Sequence, residues 1–324
     1  MSKTLQQIQA VIDAEINIFH QRFKLAMQSN VPLMDKIMNF IIKRKGKQIR
    51  PMFIFLAAKL TGQVAEHTYH AANLIELLHT ATLIHDDVVD DSMQRRGFFS
   101  LNALWGNKIA VLIGDYLLSK GLLLSLEYKA EYLLHITSNA IREMSEGELL
   151  QIEKARRLDI KEEVYFEIIR KKTASLIAAA CAAGVASTGS DEATIQKALL
   201  LGEKIGMAFQ IRDDLFDFGD GDAGKPQGND LQEKKMTLPL IHALNNTDAA
   251  KRKYYINIIK NENTIPERIR EVSDFVINST GIEYTRQKMY AFRQEAFDIL
   301  HTFEPSEART ALEDLVTFVT ERTA

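Results

Sequence analysis

The chain has 324 residues, of which 46% are hydrophobic and 26% charged, which is enough for one large domain or two modest ones with a full core. Only 16 Gly and 6 Pro interrupt it, so a many-stranded sandwich is excluded and long elements are favoured. The 40 basic and 43 acidic residues give a net charge of −3, a balance that does not indicate a nucleic-acid partner.

The chain has one cysteine, Cys181, within a run of alanines. A single cysteine excludes a disulfide framework and a cysteine-rich zinc site, so we expect a small buried hydrophobe there. The first residues are polar and lack the layout of a signal peptide, and the apolar stretches are interrupted before about 18 residues. We therefore expect a cytoplasmic protein without a membrane-spanning segment.

Apolar residues recur at intervals of three and four along almost the whole chain, which is typical of amphipathic helices. The first such stripe contains Ile8, Val11, Ile12, Ile16, Phe19 and Phe23. The pattern predicts an all-α fold of roughly ten to fourteen helices, without a strand followed by a hairpin turn. No shift in composition marks a linker, so we expect a single domain over residues 1–324.

Helix boundaries are indicated at few places. Pro51 after Arg50 can open a helix that Gly62 closes, and Gly97 is expected to end another. The stretch 184–190 should separate two further helices. The segment 218–231 is the loop richest in glycine, and it directly follows an apolar helix.

An acidic pattern, Asp-Asp-x-x-Asp, occurs twice in the chain. Its members are Asp86, Asp87 and Asp90 in the first motif, and Asp213, Asp214 and Asp217 in the second. On a helix, the first, second and fifth positions lie at about 0°, 100° and 40°, so three carboxylates share one face. Apolar residues precede each motif, which argues against a simple solvated run of charge.

Carboxylates one turn apart repel each other and need a neutralising cation. Oxygen ligands without cysteine favour a hard divalent ion, Mg²⁺ before Ca²⁺, and Mg²⁺ commonly bridges carboxylates to substrate phosphates. The motifs therefore predict a Mg²⁺ site and a substrate that carries phosphate.

Basic residues near predicted helix ends suit such a substrate. Lys47 and Arg50 lie immediately before or at the start of a helix, where backbone N–H groups attract anions. Arg95 and Arg96 follow the first acidic motif, and His79 lies two turns before Asp86 on the same helix face. The glycine-rich segment lacks the Lys-Ser/Thr pair of a nucleotide-binding loop, so ATP chemistry is not indicated.

Together these residues resemble the trans-polyprenyl diphosphate synthases. The shared features occur in the family's order: Gly46-Lys47-x-x-Arg50-Pro51, His79, the first Asp-rich motif with Arg95-Arg96-Gly97, Lys172-Thr173, Phe209-Gln210, the second Asp-rich motif, and Gly224-Lys225-x-x-Gly228-x-Asp230. The sequence of residues 77–87 most resembles the corresponding segment of octaprenyl and other quinone side-chain synthases.

The resemblance implies an all-α homodimer of the isoprenoid synthase type. Its helices would surround a central cavity, and the two Asp-rich motifs would hold about three Mg²⁺ ions on an allylic diphosphate. The implied isopentenyl diphosphate site is Gly46, Lys47, Arg50, His79 and Arg96. The implied allylic diphosphate site is Arg95, Lys172, Thr173, Gln210, Lys225 and Lys235.

The implied chemistry is ionisation of the allylic diphosphate followed by attack of the isopentenyl double bond on the cation. Thr173 and Gln210 resemble oxygen dipoles that steady this cation. In family members, the residues one turn before the first motif determine the length of the product. In this chain these residues are Ala81 and Thr82. Both are small, which favours a long product of C30 to C45. Such products are insoluble, so transient membrane contact is expected at release.

Two departures from the family pattern are Phe98-Phe99-Ser100, where Pro is frequent, and Lys234, where Gly is frequent. Four alternatives stay open: a shorter-chain synthase of C15 to C25, a terpene cyclase of the same fold, a non-catalytic subunit of a heteromeric synthase, and a helical metal-dependent phosphohydrolase. The intact second motif and the isopentenyl diphosphate residues disfavour the cyclase.

Overall fold

A computed structural model describes residues 3–43, 46, 48–95, 98–156, 158, 161–219 and 228–321. These residues form seventeen α-helices, one π-helical turn and one short antiparallel ribbon, which confirms the all-α prediction. The first elements are α1 (Lys3–Ala10), α2 (Asp13–Ala26), α3 (Pro32–Lys43), α4 (Ile49–Thr61), α5 (Glu66–Val89), β1 (Gln94–Arg95), β2 (Phe98–Phe99), α6 (Leu101–Trp105) and α7 (Asn107–Glu127).

The remaining elements are α8 (Glu131–Ala155), α9 (Glu162–Ile169), the π-helical turn Arg170–Ala174, α10 (Ser175–Ala186), α11 (Glu192–Phe216), α12 (Asn229–Gln232), α13 (Leu238–Asn245), α14 (Ala249–Asn261), α15 (Pro266–Ile277), α16 (Gly281–Leu300) and α17 (Glu307–Glu321). The count exceeds the expected ten to fourteen because α6 and α12 are only 5 and 4 residues long. Hydrophobic periodicity also cannot detect the break at Val11 and Ile12, since the buried stripe continues across it.

The helix carrying the first Asp-rich motif ends earlier than expected. It stops at Val89, and Asp91 adopts a left-handed φ of 48° that ends the helical path. A two-residue ribbon follows, in which Gln94 pairs with Phe99. The expectation that Gly97 terminates this helix is therefore wrong, and Gly97 itself lies outside the described residues.

Two other boundary predictions are confirmed. Helix α4 begins at Ile49 and is closed by Gly62, whose N–H donates to the Ala58 carbonyl at 3.0 Å. Helices α10 and α11 are separated within the expected stretch, although Gly184 lies inside α10. A Cβ at Gly184 would lie 2.4 Å from the Ile54 carbonyl oxygen, so this glycine allows close helix packing.

The chain divides into two compact units. The first comprises Met1–Asn139, Ala179–Ala198 and Ser306–Leu312, and the second comprises Ala140–Ala178, Leu199–Pro305 and Glu313–Ala324. Neither unit is a continuous segment, because the chain passes repeatedly from one to the other. The organisation of residues 1–324 as a single domain stays a prediction.

In the first unit, α5 and α7 pack as an antiparallel pair. Gly114 lies beside His85, and a Cβ at Gly121 would contact the side chains of Leu74 and Leu78 at 3.1 and 3.3 Å. Further along, the Tyr128 ring stacks on His70 with a centroid distance of 3.4 Å. In the second unit, buried residues of α9, α11, α13, α15 and α16 share one hydrophobic core.

Helix α7 is long and apolar enough to cross a membrane by length and composition, with a mean hydropathy of 1.7 over its most apolar window. Asp115 and Lys120 interrupt its apolar run, as expected from the sequence, although the helix still meets these limits of length and composition. Its Gly121 side packs on α5, so a single helix of this kind is weak support for a membrane span.

Cys181 lies in α10 and is fully buried. Burial raises the pKa of its thiol to about 12, since the thiolate is poorly solvated there. The prediction of a small buried hydrophobe at this position is confirmed.

Candidate active site

The first Asp-rich motif lies at the C-terminal end of α5. Asp86 and Asp87 belong to its last turn, and Asp90 is the first residue beyond it, with its N–H donating to the Asp86 carbonyl at 2.8 Å. Asp87 is buried, at 5% exposed, whereas Asp86 is half-buried and Asp90 is exposed. The expected helical face is thus formed by two carboxylates, with the third just after the helix.

The second motif has the same placement in the second unit. Asp213 and Asp214 lie in the last turn of α11, and Asp217 follows the helix directly. Asp214 and Asp217 are both buried, at 4% and 6% exposed, and Asp213 is half-buried.

This placement is electrostatically unfavourable for carboxylates. A helix C-terminus carries a partial negative charge, so acidic side chains there are repelled by the helix dipole as well as by one another. Burial, with the nearby charge of Asp230, raises the pKa of Asp214 to about 7, despite hydrogen bonds that favour its charged form.

The donor set fits a hard divalent cation, because it consists of carboxylate oxygens. Among the described residues, no three acidic, histidine or cysteine side chains are already arranged as a complete metal-ligand group. Ligands from a phosphate-bearing substrate would complete the coordination that Mg²⁺ prefers.

Asp214 is the centre of a buried hydrogen-bond network. Its Oδ2 accepts from the Tyr165 hydroxyl at 2.7 Å and from the Leu238 backbone N–H at 3.2 Å. Its Oδ1 accepts from Gln210 Nε2 at 3.1 Å. The network continues to Thr173, whose hydroxyl donates to Gln210 Oε1 at 2.8 Å. The structure therefore brings three predicted site residues together, and adds Tyr165.

Lys172 and Thr173 lie in the π-helical turn between α9 and α10. Single π-turns inside helices occur frequently at functional sites, because they shift the register of the side chains that follow. The Lys172 ammonium pairs with Glu148 of α8. This keeps the cation anchored beside the turn.

Glycines allow the backbones around this turn to approach closely. A Cβ on Gly147 would lie 2.8 Å from the Lys172 backbone nitrogen. Cβ atoms on Gly202 and Gly206 of α11 would lie 2.6 and 2.4 Å from the Cα atoms of Ala178 and Ala174. Such distances exclude any side chain at these positions, so α8 and α11 are held against the π-turn.

The segment after the glycine-rich loop packs on the second motif. The Asp230 N–H donates to Asp217 Oδ1 at 3.2 Å, and the Lys235 N–H donates to the Asp230 carbonyl at 2.8 Å. The Lys235 ammonium pairs with Glu233 and lies 3.9 Å from Asp230. The left-handed conformation at the preceding Lys234, φ 57°, is the position where the family often has glycine.

The remaining predicted residues of the first unit lie on α4 and α5. Gly46 is exposed, Arg50 is half-buried in the first turn of α4, and His79 is buried within α5. Ala81 is fully buried and Thr82 half-buried; the Thr82 hydroxyl donates to the His79 carbonyl at 2.9 Å.

Some predicted ligands cannot be placed. Lys47, Arg96 and Lys225 lie outside the described residues, as does Gly224. Of Arg95, only the backbone, within β1, is described.

Sequence reasoning did not identify Tyr165, Glu148 or the Leu238 N–H as parts of the site. Tyr165 has a weak signal, since it precedes Lys172 by two helical turns. The pairing of Glu148 with Lys172 and of Leu238 with Asp214 depends on tertiary packing and has no local signature.

Comparison with known proteins identifies the family of this chain. Residues 31–276 match the polyprenyl synthetase family. A heptaprenyl diphosphate synthase component 2 from Geobacillus stearothermophilus is 31% identical, covering 98% of this chain and 99% of its own. The octaprenyl diphosphate synthase of Escherichia coli is 35% identical, covering 91% of this chain and 92% of its own.

Two solved structures share the fold. A polyprenyl synthase from Caulobacter crescentus, complexed with calcium and isoprenyl diphosphate, has a TM-score of 0.92 and 33% identity, covering 99% of this chain and 98% of its own. A geranylgeranyl pyrophosphate synthase from Bacteroides thetaiotaomicron has a TM-score of 0.85 and 37% identity, covering 99% and 100%. The isoprenoid synthase fold is confirmed, and the chain belongs to the polyprenyl synthetase family and is a prenyltransferase.

Proposed function

We propose that the protein is an all-trans long-chain polyprenyl diphosphate synthase. It adds isopentenyl diphosphate units to an allylic diphosphate, with a product between C30 and C45, octaprenyl favoured, that serves as a quinone side chain. The observation that carries the long-chain assignment is the small, buried Ala81, five residues before the first acidic motif on α5, the helix that packs against α7. The octaprenyl and heptaprenyl relatives support it.

The two Asp-rich motifs are the residues that fit Mg²⁺, with about three ions expected per active site. Mg²⁺, when bound, would neutralise negative charge on the diphosphate as it leaves. The calcium in the Caulobacter crescentus complex supports a divalent cation at such a site. The expected ligands are Asp86, Asp87 and Asp90 of the first motif and Asp213 and Asp217 of the second, while Asp214 supports the second motif through its hydrogen bonds.

Cationic side chains would bind the two diphosphates and orient them. We assign Arg95, Lys172, Lys225 and Lys235 to the allylic diphosphate, and Lys47, Arg50, His79 and Arg96, with Gly46, to isopentenyl diphosphate. The pairing of Lys172 with Glu148 supports this, because an anchored ammonium loses less entropy on binding.

Polar oxygens near Lys172 would stabilise the allylic cation without reacting with it. The Thr173 hydroxyl donates a hydrogen bond to Gln210. The lone pairs of the Thr173 oxygen therefore point away from Gln210 and form the negative end of a dipole. The isopentenyl double bond then attacks the cation, and the departed diphosphate is the base that takes the released proton.

The growing tail would pass along the side of α5 that carries Ala81. Leu74 and His70 precede Ala81 by seven and eleven residues, so each projects from α5 within about 20° of Ala81. Leu74 and Leu78 contact α7 at Gly121. The Thr82 hydroxyl is bonded within its own helix, which adds no unsatisfied donor to an apolar path.

A cavity of about 270 Å³ lies at the far end of this pair. It begins at Leu74, about 10 Å along α5 from Ala81, and extends to His70, on which Tyr128 stacks. Its apolar lining consists of Leu25, Ala26, Leu74, Leu124, Ala130 and Leu133. Space so distant from the first Asp-rich motif supports a product longer than C15.

The heptaprenyl relative is named as one component of a synthase. This name is the reason to consider a non-catalytic subunit as the alternative. All six motif carboxylates are present here, and the second motif is supported by a hydrogen-bond network. We therefore propose a catalytically competent chain.

We also propose a homodimer in the cytoplasm. Helix α7 exposes Leu123 and Leu126 at 56% and 58%, with Val111, Leu112 and Leu122 on the same side. An apolar face of this extent on one helix suits burial against a second copy. Mass measurement in solution tests this, and a monomer that remains fully active would contradict it.

Product analysis tests the function directly. Purified protein is incubated with Mg²⁺, labelled isopentenyl diphosphate and farnesyl diphosphate, and the dephosphorylated alcohols are separated by chromatography. A C35 to C45 product confirms the proposal. A product ending at C20 or C25 establishes a shorter-chain synthase, and no incorporation by the pure chain indicates a subunit that requires a partner.

A further inference from the structure

The buried Tyr165 hydroxyl is not accounted for by substrate or metal binding. It is fully enclosed in the second unit, and its shortest contact is the 2.7 Å hydrogen bond to Asp214. We propose that Tyr165 is a positioning residue for prenyl transfer: through Asp214 it sets the direction of the Gln210 amide. This inference rests on the proposed function, since the amide and its neighbour Thr173 are taken to face the allylic cation.

The Asp214 carboxylate accepts hydrogen bonds at most of its acceptor positions. An ionised carboxylate has about four acceptor positions, and three of them receive the Tyr165 hydroxyl, the Leu238 N–H and the Gln210 amide. All three donors lie within the second unit. Asp214 is thus used mainly by the protein itself.

This carboxylate also constrains the dipoles beside it. A carboxylate only accepts, so the nitrogen of the Gln210 amide must face Asp214 and its oxygen must face Thr173. The Thr173 hydroxyl must then donate to that oxygen. One carboxylate therefore determines the orientation of two consecutive dipoles, including a glutamine whose two ends are otherwise nearly interchangeable.

Helix geometry separates Asp213 from Asp214. Asp213 and Asp217 would be about 40° apart around a helix axis, whereas Asp214 is displaced by about 100° from Asp213. Gln210 lies four residues before Asp214, so the two side chains project from α11 within about 40° of each other, which agrees with the hydrogen bond between them. Asp213 projects about 100° away from Asp214, so we assign cation binding to Asp213 rather than to Asp214.

The test compares Tyr165→Phe with Tyr254→Phe. The control removes a similar hydroxyl, since Tyr254 donates to Glu271 at 2.7 Å on the surface. We expect Tyr165→Phe to lower kcat about tenfold or more, the usual effect of losing an outer-shell partner. The KM for both diphosphates and the Mg²⁺ concentration for half-maximal activity should stay within about twofold. The control should match the unmodified protein.

Two further variants separate positioning from metal binding. Asp213→Asn should raise the Mg²⁺ concentration that gives half-maximal activity. Asp214→Asn should lower kcat and leave that Mg²⁺ concentration unchanged. The double variant with Tyr165→Phe and Asp214→Asn should have a kcat only slightly lower than that of Asp214→Asn alone, because both changes disrupt one network. A Tyr165→Phe enzyme with unchanged kcat overturns the proposal, as does a rise in Mg²⁺ requirement equal to that of Asp213→Asn.

An activity-independent measurement keeps this test distinct from that of the proposed function. In protein labelled with ¹⁵N-glutamine, the Gln210 side-chain amide signal is assigned by its loss in Gln210→Leu. We expect Tyr165→Phe to shift this signal and accelerate its exchange with water, while Tyr254→Phe does not. An unchanged signal overturns the positioning role. Absence of isopentenyl incorporation by the unmodified protein contradicts only the proposed function.

Discussion

Gly206 of α11 lies so close to Ala174 that a Cβ on the glycine would be 2.4 Å from the Ala174 Cα atom. Ala174 ends the π-helical turn that carries Lys172 and Thr173. This single approach therefore sets the distance between that turn and the helix that presents Gln210 and the second Asp-rich motif.

Gly206→Ala is expected to destabilise the protein and to lower turnover. The contacted atoms are backbone and cannot rotate away, so the added methyl must displace α11 from the π-turn. Overpacking of this kind costs about 1–3 kcal/mol. Thermal melting and steady-state kinetics measure the two effects.

Gly121→Ala is the matched comparison for stability. Its Cβ would meet the flexible side-chain ends of Leu74 and Leu78 at 3.1 and 3.3 Å, and alanine is the better helix former. We expect a melting temperature close to that of the unmodified protein. Equal destabilisation by both substitutions would contradict the special role of the approach at Gly206.

Ala81→Phe is expected to shorten the product. The bulky ring would block the proposed path along α5 one turn before the first Asp-rich motif, while Leu74→Phe would block it about 10 Å further along. Chromatography of the prenyl alcohols should therefore give the order Ala81→Phe, Leu74→Phe, unmodified protein, from shortest to longest. An unchanged product from Ala81→Phe, with a normal melting temperature, would refute this path.

Removal of divalent cations is expected to abolish activity. Chelation leaves the carboxylates at the ends of α5 and α11 without the positive charge needed to hold a diphosphate. Excess Mg²⁺ should restore turnover, and Mg²⁺ with inorganic diphosphate should raise the melting temperature more than Mg²⁺ alone. Full turnover in the presence of the chelator would refute the metal assignment.

His70 is expected to make stability depend on pH below neutrality. Burial lowers its pKa to about 4, so the folded state favours the neutral ring stacked on Tyr128. Between about pH 6.5 and 4, the unfolded chain binds more protons than the folded one, so the free energy of unfolding falls as pH falls. It should not vary through this group above about pH 6.5.

The comparison for this prediction is His70→Phe, which retains an aromatic ring but cannot take up a proton. Urea unfolding from pH 4 to 8 should show a shallower decline for His70→Phe than for the unmodified protein. Identical slopes in the two proteins would contradict the assignment.

Local sequence was enough to determine the helical class and the two acidic motifs, because both follow from short periodic spacing. Helix capping also determined the limits of α4. The same local rules misplaced the end of α5 and missed the break between α1 and α2, since hydrophobic spacing reports which face is buried and not whether the backbone continues.

Tertiary structure decided which groups the motif residues contact. Asp213 and Asp214 are adjacent and chemically identical, yet Asp214 is the one that Tyr165 reaches from α9 and to which the Leu238 N–H donates. The π-turn itself depends on helices packed around it, which no spacing of residues 170–174 reveals. Sequence thus specified the chemistry of the acidic motifs, and packing specified the direction in which each carboxylate acts, because direction depends on contacts between residues distant in the chain.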